Sequence, residues 1–285
     1  MKFYRKISYV FFIAIFLAPE LKLKLSAKDD ISALGAKTDS IWIEPFTSME
    51  FVLIPAGKFL MGIPDAEKIR DEDAPLHPVR ISKDFFIGKY EVTQGQWLAI
   101  MNENPSKFQD CGLDCPVENV NWFEVQEFIK RLNQTVAETT SAEIKFRLPA
   151  EAEWEYACRA GTETPFSTGQ NLTTGQANYD GNYPYPNFPA GIYRDSPVKV
   201  GSFPPNPWGV YDMHGNVWEW CQDWYCPYPA NEVVDPVGNC DSGKRVIRGG
   251  SWYFNAESAR SGRRYTHSPE DRGPSLGFRL VRENP

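Results

Sequence analysis

Between Asn121 and Leu132 the apolar residues Trp122, Val125, Phe128, Ile129 and Leu132 recur at helical spacing. The spacing predicts an amphipathic helix with one buried stripe, and that stripe is core. Asn121 followed three residues on by Glu124 supplies a capping box, with Asn replacing the usual Ser or Thr. A second helix is expected to start at Leu148-Pro149, with Pro149 in its first turn, and to end before Gly161. Its Glu151, Glu153 and Glu155 read as a solvated set complementing the helix dipole, not as catalytic carboxylates. Thr93 suits the N-cap of another helix, running through Trp97, Ile100 and Met101. Before it, Phe51–Ile54, Lys58–Met61, Val79–Ile81 and Asp84–Tyr90 are strand-like, broken by turn residues such as Pro55 and Gly57. From Thr162 to Pro207 no period survives, and Asn, Gly, Tyr and Pro dominate. So long an irregular stretch is either disordered or pinned by something specific, and its tyrosines favour a packed, ordered loop. Calcium is one such pin, and Asn178, Asp180, Asp195, Asn216 and Glu219 are the oxygen donors within reach in sequence.

The N-terminal pattern differs from everything after it. Lys2, Arg5 and Lys6 precede an apolar run, Ile7 to Pro19, and the small residues Ser26 and Ala27 follow. The run is shorter than the roughly 20 residues a membrane span takes, so residues 1–27 are expected to be a signal peptide, the alternative being an uncleaved anchor. Residues 28–48 read as a linker or flexible lead-in, and 49–283 as one domain. Export to the periplasm, the medium or the outer surface follows, with no membrane contact apart from the signal segment. A formal charge of −7 argues against a nucleic-acid partner. Six cysteines in an exported chain read as structural cross-links: Cys111 with Cys115 and Cys226 with Cys240 by proximity, leaving Cys158 and Cys221. Fifteen pairings are formally open to six cysteines, and a zinc site is the other reading. Against zinc, His77, His214 and His267 are the only histidines and no CxxC occurs.

Identity is carried by unusual segments. Residues 208–224 read WGVYDMHGNVWEWCQDW, with RGGSW at Arg248–Trp252 and LGFRL at Leu276–Leu280. The double glycine suggests close backbone approach or positive φ, and LGFRL suits a strand returning to the core. With FVLIPAGKFLMG (Phe51–Gly62), YEVTQ (Tyr90–Gln94), VENVNW (Val117–Trp122), RLPAEAEWEYACRAG (Arg147–Gly161) and VGSF (Val200–Phe203), these resemble, in order, the sulfatase-modifying factor or formylglycine-generating-enzyme-like family. The resemblance covers about residues 48 to 282. It implies a single compact α+β domain of low regular content, related to the C-type-lectin fold and holding structural calcium. It places one calcium site at Asn178 and Tyr179 with Tyr193 and Asp195, and another at Asn216, Val217 and Glu219. A hydrogen-bonded turn is the alternative for the last set.

The catalytic pattern is broken. The family's oxidases hold copper(I) with two cysteines between the GGS and LGFR motifs, whereas here that stretch contains none. Ala256 and Ser261 stand about where the thiols would be, and a serine hydroxyl is no copper(I) ligand, so no copper is expected. The stretch instead offers Trp252, Tyr253, Arg260, Arg263, Arg264, Tyr265 and His267, with Arg272 and Arg279 nearby. Such a cluster suits a peptide or small anionic ligand, unless Glu257, Glu270 and Asp271 pair its arginines. The expectation is an exported binding or scaffold module with a ligand cleft near residues 250–275. The alternative is an exported oxidoreductase or maturation enzyme of the same family working without the cysteine pair.

Overall fold

A computed structural model of the chain describes residues 41–64, 75–140 and 144–283. The expected signal peptide lies outside the described residues, as does the lead-in up to residue 40. The rest of the lead-in is structured: β1 (Ile41–Ile43) pairs with β2 (Glu50–Ile54), and Trp42 packs on Phe51 at 5.6 Å between centroids. The turn between them closes because Glu44, fully buried, accepts the Phe46 amide at 2.8 Å.

The remaining strands are β3 (Gly57–Met61), β4 (His77–Ile81), β5 (Phe85–Gly88), β6 (Phe146–Arg147), β7 (Trp218–Trp224), β8 (Val233–Val234), β9 (Arg245–Arg248), β10 (Arg264–His267), β11 (Leu276–Gly277) and β12 (Val281–Arg282). They form an antiparallel five-stranded sheet ordered β1-β2-β5-β12-β6, a four-stranded sheet β10-β9-β7-β11, and a small sheet β3-β4-β8. Among the described residues, three α-helices complete a single mixed domain: α1 (Gln94–Met101), α2 (Trp122–Thr139) and α3 (Glu151–Arg159).

Thr93 and Asn121 cap α1 and α2 with reciprocal capping boxes, and α2 runs a further two turns past Leu132. The α2 stripe meets α1 where Trp97 stacks on Phe128 at 5.2 Å. Pro149 is not in the first turn of α3. Ala150 is the N-cap, and the Pro149 carbonyl accepts from Gln222 of β7, which fixes the helix against the four-stranded sheet. LGFRL is not one strand either: β11 joins the four-stranded sheet, β12 the five-stranded sheet, and Phe278–Leu280 cross between them. Gly277 must be glycine at that crossing, because a Cβ would stand 2.4 Å from the Val117 carbonyl oxygen.

Among the described residues, no helix or strand lies between Ala160 and Val217. The stretch is pinned by burial. Phe166, Leu172 and Tyr179 pack against Ala256 and Ala259, and the Tyr179 hydroxyl donates to the Leu172 carbonyl at 2.9 Å. Asn206 then ties the chain to the end of α3 by donating to the Ala157 carbonyl at 2.7 Å.

Candidate functional site

Side chains alternate across a strand, and that rule builds the site. Trp218 of β7 and Tyr265 of β10 emerge on the face of the four-stranded sheet away from α3, their rings stacked at 5.7 Å. The loop after the double glycine adds Tyr253 and Phe254, and the irregular stretch adds Tyr183 and Tyr193. Two backbone bonds seat that stretch on the rim: Asp180 N–H to the Phe254 carbonyl at 2.9 Å, and Ala256 N–H to the Tyr183 carbonyl at 3.1 Å. The result is an open cleft of about 510 Å³ lined by six aromatic rings, with Asp180, Asn255, Ser258 and Arg263 as its polar groups. Tyr183 and Tyr253 are more than 60 % exposed, so these two rings are available, while Trp218 and Phe254 form the floor against the core.

The same alternation disperses the expected arginine cluster. Arg264 points to the opposite face, where Glu151 holds it through two bonds at 2.9 and 2.7 Å. Arg260 is buried beside Glu257 at 3.7 Å, Arg272 pairs with Glu124 at 2.8 Å, and Arg279 pairs with Glu219. Arg263 alone of the five lines the cleft. Trp252 lies beneath the rim, its indole N–H donating to Pro274 at 3.1 Å and its edge against Phe108. His267 sits against Trp220 and bonds Asp271 at 3.0 Å. Trp218, Phe254, Tyr183, Asn255 and Ser258 were not expected here; the alternation of β7 is the signal that sets Trp218 on the cleft side of the sheet.

Of the two residues expected about where the family's thiols would be, Ala256 is fully buried in a short 3-10 turn, and Ser261 is fully buried with its amide on the Pro165 carbonyl at 2.8 Å. The cross-links Cys111–Cys115 and Cys226–Cys240 are present. Cys158 and Cys221 are not cross-linked, contrary to the reading of all six as cross-links. Cys158 instead faces the Met213 carbonyl at 3.7 Å and the His214 ring at 3.8 Å. Burial pushes its thiol up to about 12 and holds His214 down at about 4. His214 is fully committed: Nδ1–H donates to Ala259 at 2.8 Å, and Nε2 accepts from Ser167 N–H at 3.0 Å.

Glu151 and Glu155 are not a solvated set. Both are buried, Glu155 pairing with Arg159 and Arg248, and Glu151 with Arg264. Glu219 is equally committed: Arg279 grips it at 2.6 and 2.7 Å, and Trp154 Nε1 donates to it at 2.7 Å. The Val217 amide and the Asn216 side chain donate to Glu91 at 3.1 and 2.6 Å. Burial, with the Asp212 and Glu219 charges, pushes Glu91 well above the usual carboxylate range, and burial raises Asp212 to about 6. Asn178, Asp212 and Asn216 line a small cavity of about 20 Å³. Asn178 Oδ1 and Asp212 Oδ1, on two of its lining residues, are buried without a hydrogen-bond partner. Two orphaned oxygens among excess negative charge fit an oxygen-ligated cation better than the paired Glu219 does. Tyr179 points away to Leu172, while Tyr193 donates to Asp195 on the outside at 2.8 Å. Among the described residues, no three His, Cys, Asp or Glu side chains form a metal cluster by themselves, so carbonyl and amide oxygens would have to complete a shell.

A mixed domain with one thiol-free aromatic cleft above a buried acid and arginine network defines a class by its architecture. The Sulfatase-modifying factor enzyme 1-like domain model matches residues 43–284, so the chain belongs to that family. It is similar to the formylglycine-generating enzyme of Bos taurus, 28 % identical with 84 % of this chain and 76 % of the relative covered. It is also similar to the chaperone protein LppX of Paenibacillus barcinonensis, 30 % identical over 70 % of this chain and 80 % of that one. Among solved structures, Treponema denticola variable protein 1 superposes with a TM-score of 0.71 at 28 % identity, covering 86 % of this chain and 99 % of its own.

Proposed function

We propose that this chain is an exported binding module of its family, with the aromatic cleft as its ligand surface and a peptide segment as its ligand. The cleft composition carries the reading: tyrosine-rich walls with Asn and Ser give rigid, amphipathic contact area at low entropic cost. A small anion is the weaker fit, since Arg260, Arg264, Arg272 and Arg279 are already paired. No cysteine lies between Ser251 and Leu276, and both free cysteines are buried, so the two-thiolate copper(I) chemistry of the family's oxidases lacks its donors. Export is supported by the N-terminal pattern and by two disulfides. Among the described residues, no helix is long and apolar enough to cross a membrane. Calcium at the Asn178–Asp212 cavity is part of the proposal, as a structural ion.

Peptide display against the purified chain tests the reading, with Tyr253→Ala as the control. Tyr253 is 61 % exposed, so its loss leaves the fold intact and should weaken binding by about tenfold or more if it is a hot spot. Selected peptides that bind the variant equally would overturn the cleft assignment. Co-expression with a sulfatase carrying a Cys-x-Pro-x-Arg segment should give no formylglycine by mass spectrometry; clear conversion would restore the enzyme reading.

A further inference from the structure

On the α3 side of the four-stranded sheet, away from the aromatic cleft, lies a second pocket of about 240 Å³. Its floor is polar and buried: Glu151, Asp223, Arg264 and His77 are each no more than 6 % exposed. Its walls are the two ends of the Cys226–Cys240 loop, chiefly Tyr228, Pro229 and Val237, with Trp224 beside them. A disulfide and several prolines hold these walls, so the space is preformed rather than opened by a ligand.

The hydrogen-bond inventory of the floor decides what fits. Arg264 directs three of its five N–H groups inward: Nε and Nη2 to Glu151, and Nη1 to the Cys226 carbonyl at 2.9 Å. At the helix N-terminus the Glu151 amide donates to Asp223 at 2.7 Å and the Ala150 amide to Glu153 at 2.8 Å. An anion would therefore meet a guanidinium and a helix end that already face carboxyl groups. Acceptors remain. His77 is 3 % exposed, and its Nδ1 faces the Pro75 carbonyl at 3.4 Å, which requires the proton on Nδ1. Nε2 is then a lone-pair acceptor, and it makes no hydrogen bond among the described residues. The Glu151 carboxylate adds a negative charge, burial pushes the Asp223 carboxyl up to about 7, and the Tyr228 ring packs on His77 at 4.5 Å. The volume equals the liquid share of about eight waters, which suits one ring with a short arm.

We infer that this pocket is a second binding site, taking a small aromatic amine whose ring lies against Tyr228 and Trp224 and whose N–H donates to His77 Nε2. It is separate from the cleft, so its test does not depend on the peptide reading.

Titration calorimetry on the full chain, with benzylamine as the probe and benzoate as its anionic counterpart, tests it. Benzylamine should bind one to one with a Kd of about 1 mM or tighter, the range expected for a ligand of so few atoms. It should bind at least about tenfold tighter than benzoate, a difference equivalent to one lost charge-assisted hydrogen bond. Val237 lines the mouth and is 52 % exposed, so Val237→Trp fills the entrance without straining the core and should abolish binding. Tyr253→Ala should leave it unchanged. Equal binding of benzoate, no saturable benzylamine binding, or undiminished binding by a normally folded Val237→Trp would each overturn the inference. So would loss of binding in Tyr253→Ala, which would assign the amine to the cleft.

Discussion

Arg279 is the side chain whose removal the buried network tolerates least. Its guanidinium makes two bonds to Glu219 at 2.6 and 2.7 Å, and donates to the Gly88 and Tyr211 carbonyls at 3.0 Å each. Around it stand three buried carboxyl groups, since Glu91 and Asp212 feel its charge as well as that of Glu219. Arg279→Met leaves the Glu219 charge unpaired, which costs about 3–5 kcal/mol by itself. Stranding two carbonyls adds to that, so about 5 kcal/mol is a fair total against a domain stability of roughly 5–15 kcal/mol. Glu219→Gln is not the mirror image. It loses the pair but relieves repulsion on Glu91 and Asp212, and Arg279 keeps both carbonyls and two other carboxylates. A loss of about 1–3 kcal/mol is expected there. Urea unfolding followed by tryptophan fluorescence gives both values, with Arg279→Lys, which keeps the charge, as an intermediate that stays folded. If Glu219→Gln is as damaging as Arg279→Met, the excess of negative charge is not what the arginine answers. If Arg279→Met loses less than about 1 kcal/mol, the pair is not a desolvated one.

Other outcomes follow from the same geometry. A thiol reagent should find no reactive cysteine in the native protein and two after unfolding without reductant, because burial holds Cys158 and Cys221 unionised. His214 is held at about 4 against an ordinary 6.5. The unfolded state therefore takes the proton first, so this contribution is complete above 6.5 and falls as pH drops towards 4, by about 3 kcal/mol. Denaturant midpoints of wild type and His214→Gln should converge over that window. Asn121→Ala removes one half of a capping box and should cost about 1 kcal/mol in the same assay. Chelation followed by calcium should lower and then restore the melting temperature, by an amount that grows with free calcium as linkage requires. Asp212→Asn should blunt that response.

The helices were legible because their signals are local. A capping box at Asn121, a stripe from Trp122 to Leu132 and a cap at Thr93 lie within a few residues of one another, and all three held. The positions of Arg264 and Glu151 were not legible, for the opposite reason. Glu151 looks like a solvated first-turn acid, and only the pairing of β10 with β9 turns Arg264 towards it across 113 residues of chain. A two-residue period inside RRYTH would have separated Arg264 from Tyr265, but a strand of four residues between turns is too short to announce itself. Single residues such as Pro149 misled because a favourable first-turn position is also a favourable position just outside a helix. The free thiols were hidden too: nothing in sequence says that Cys158 faces His214 rather than Cys221.

The segments that identify the family do a different job from most of the cleft wall, Trp218 being the one residue that belongs to both. Glu219 of the tryptophan motif, Arg279 of LGFR and Trp154 of the α3 motif meet in one buried cluster. Arg248 of RGGSW joins the neighbouring one through Glu155. These residues fix the fold whatever the ligand. Tyr183, Tyr193 and Tyr265, and Tyr253 just past RGGSW, come from outside the motifs and supply the exposed walls. A chain can keep every identifying segment, and with it the architecture of its relatives, while its binding walls change one side chain at a time. Resemblance then transmits the scaffold, and the chemistry has to be read from the rim: here from tyrosines at the mouth, and from Ala256 and Ser261 packed beneath it.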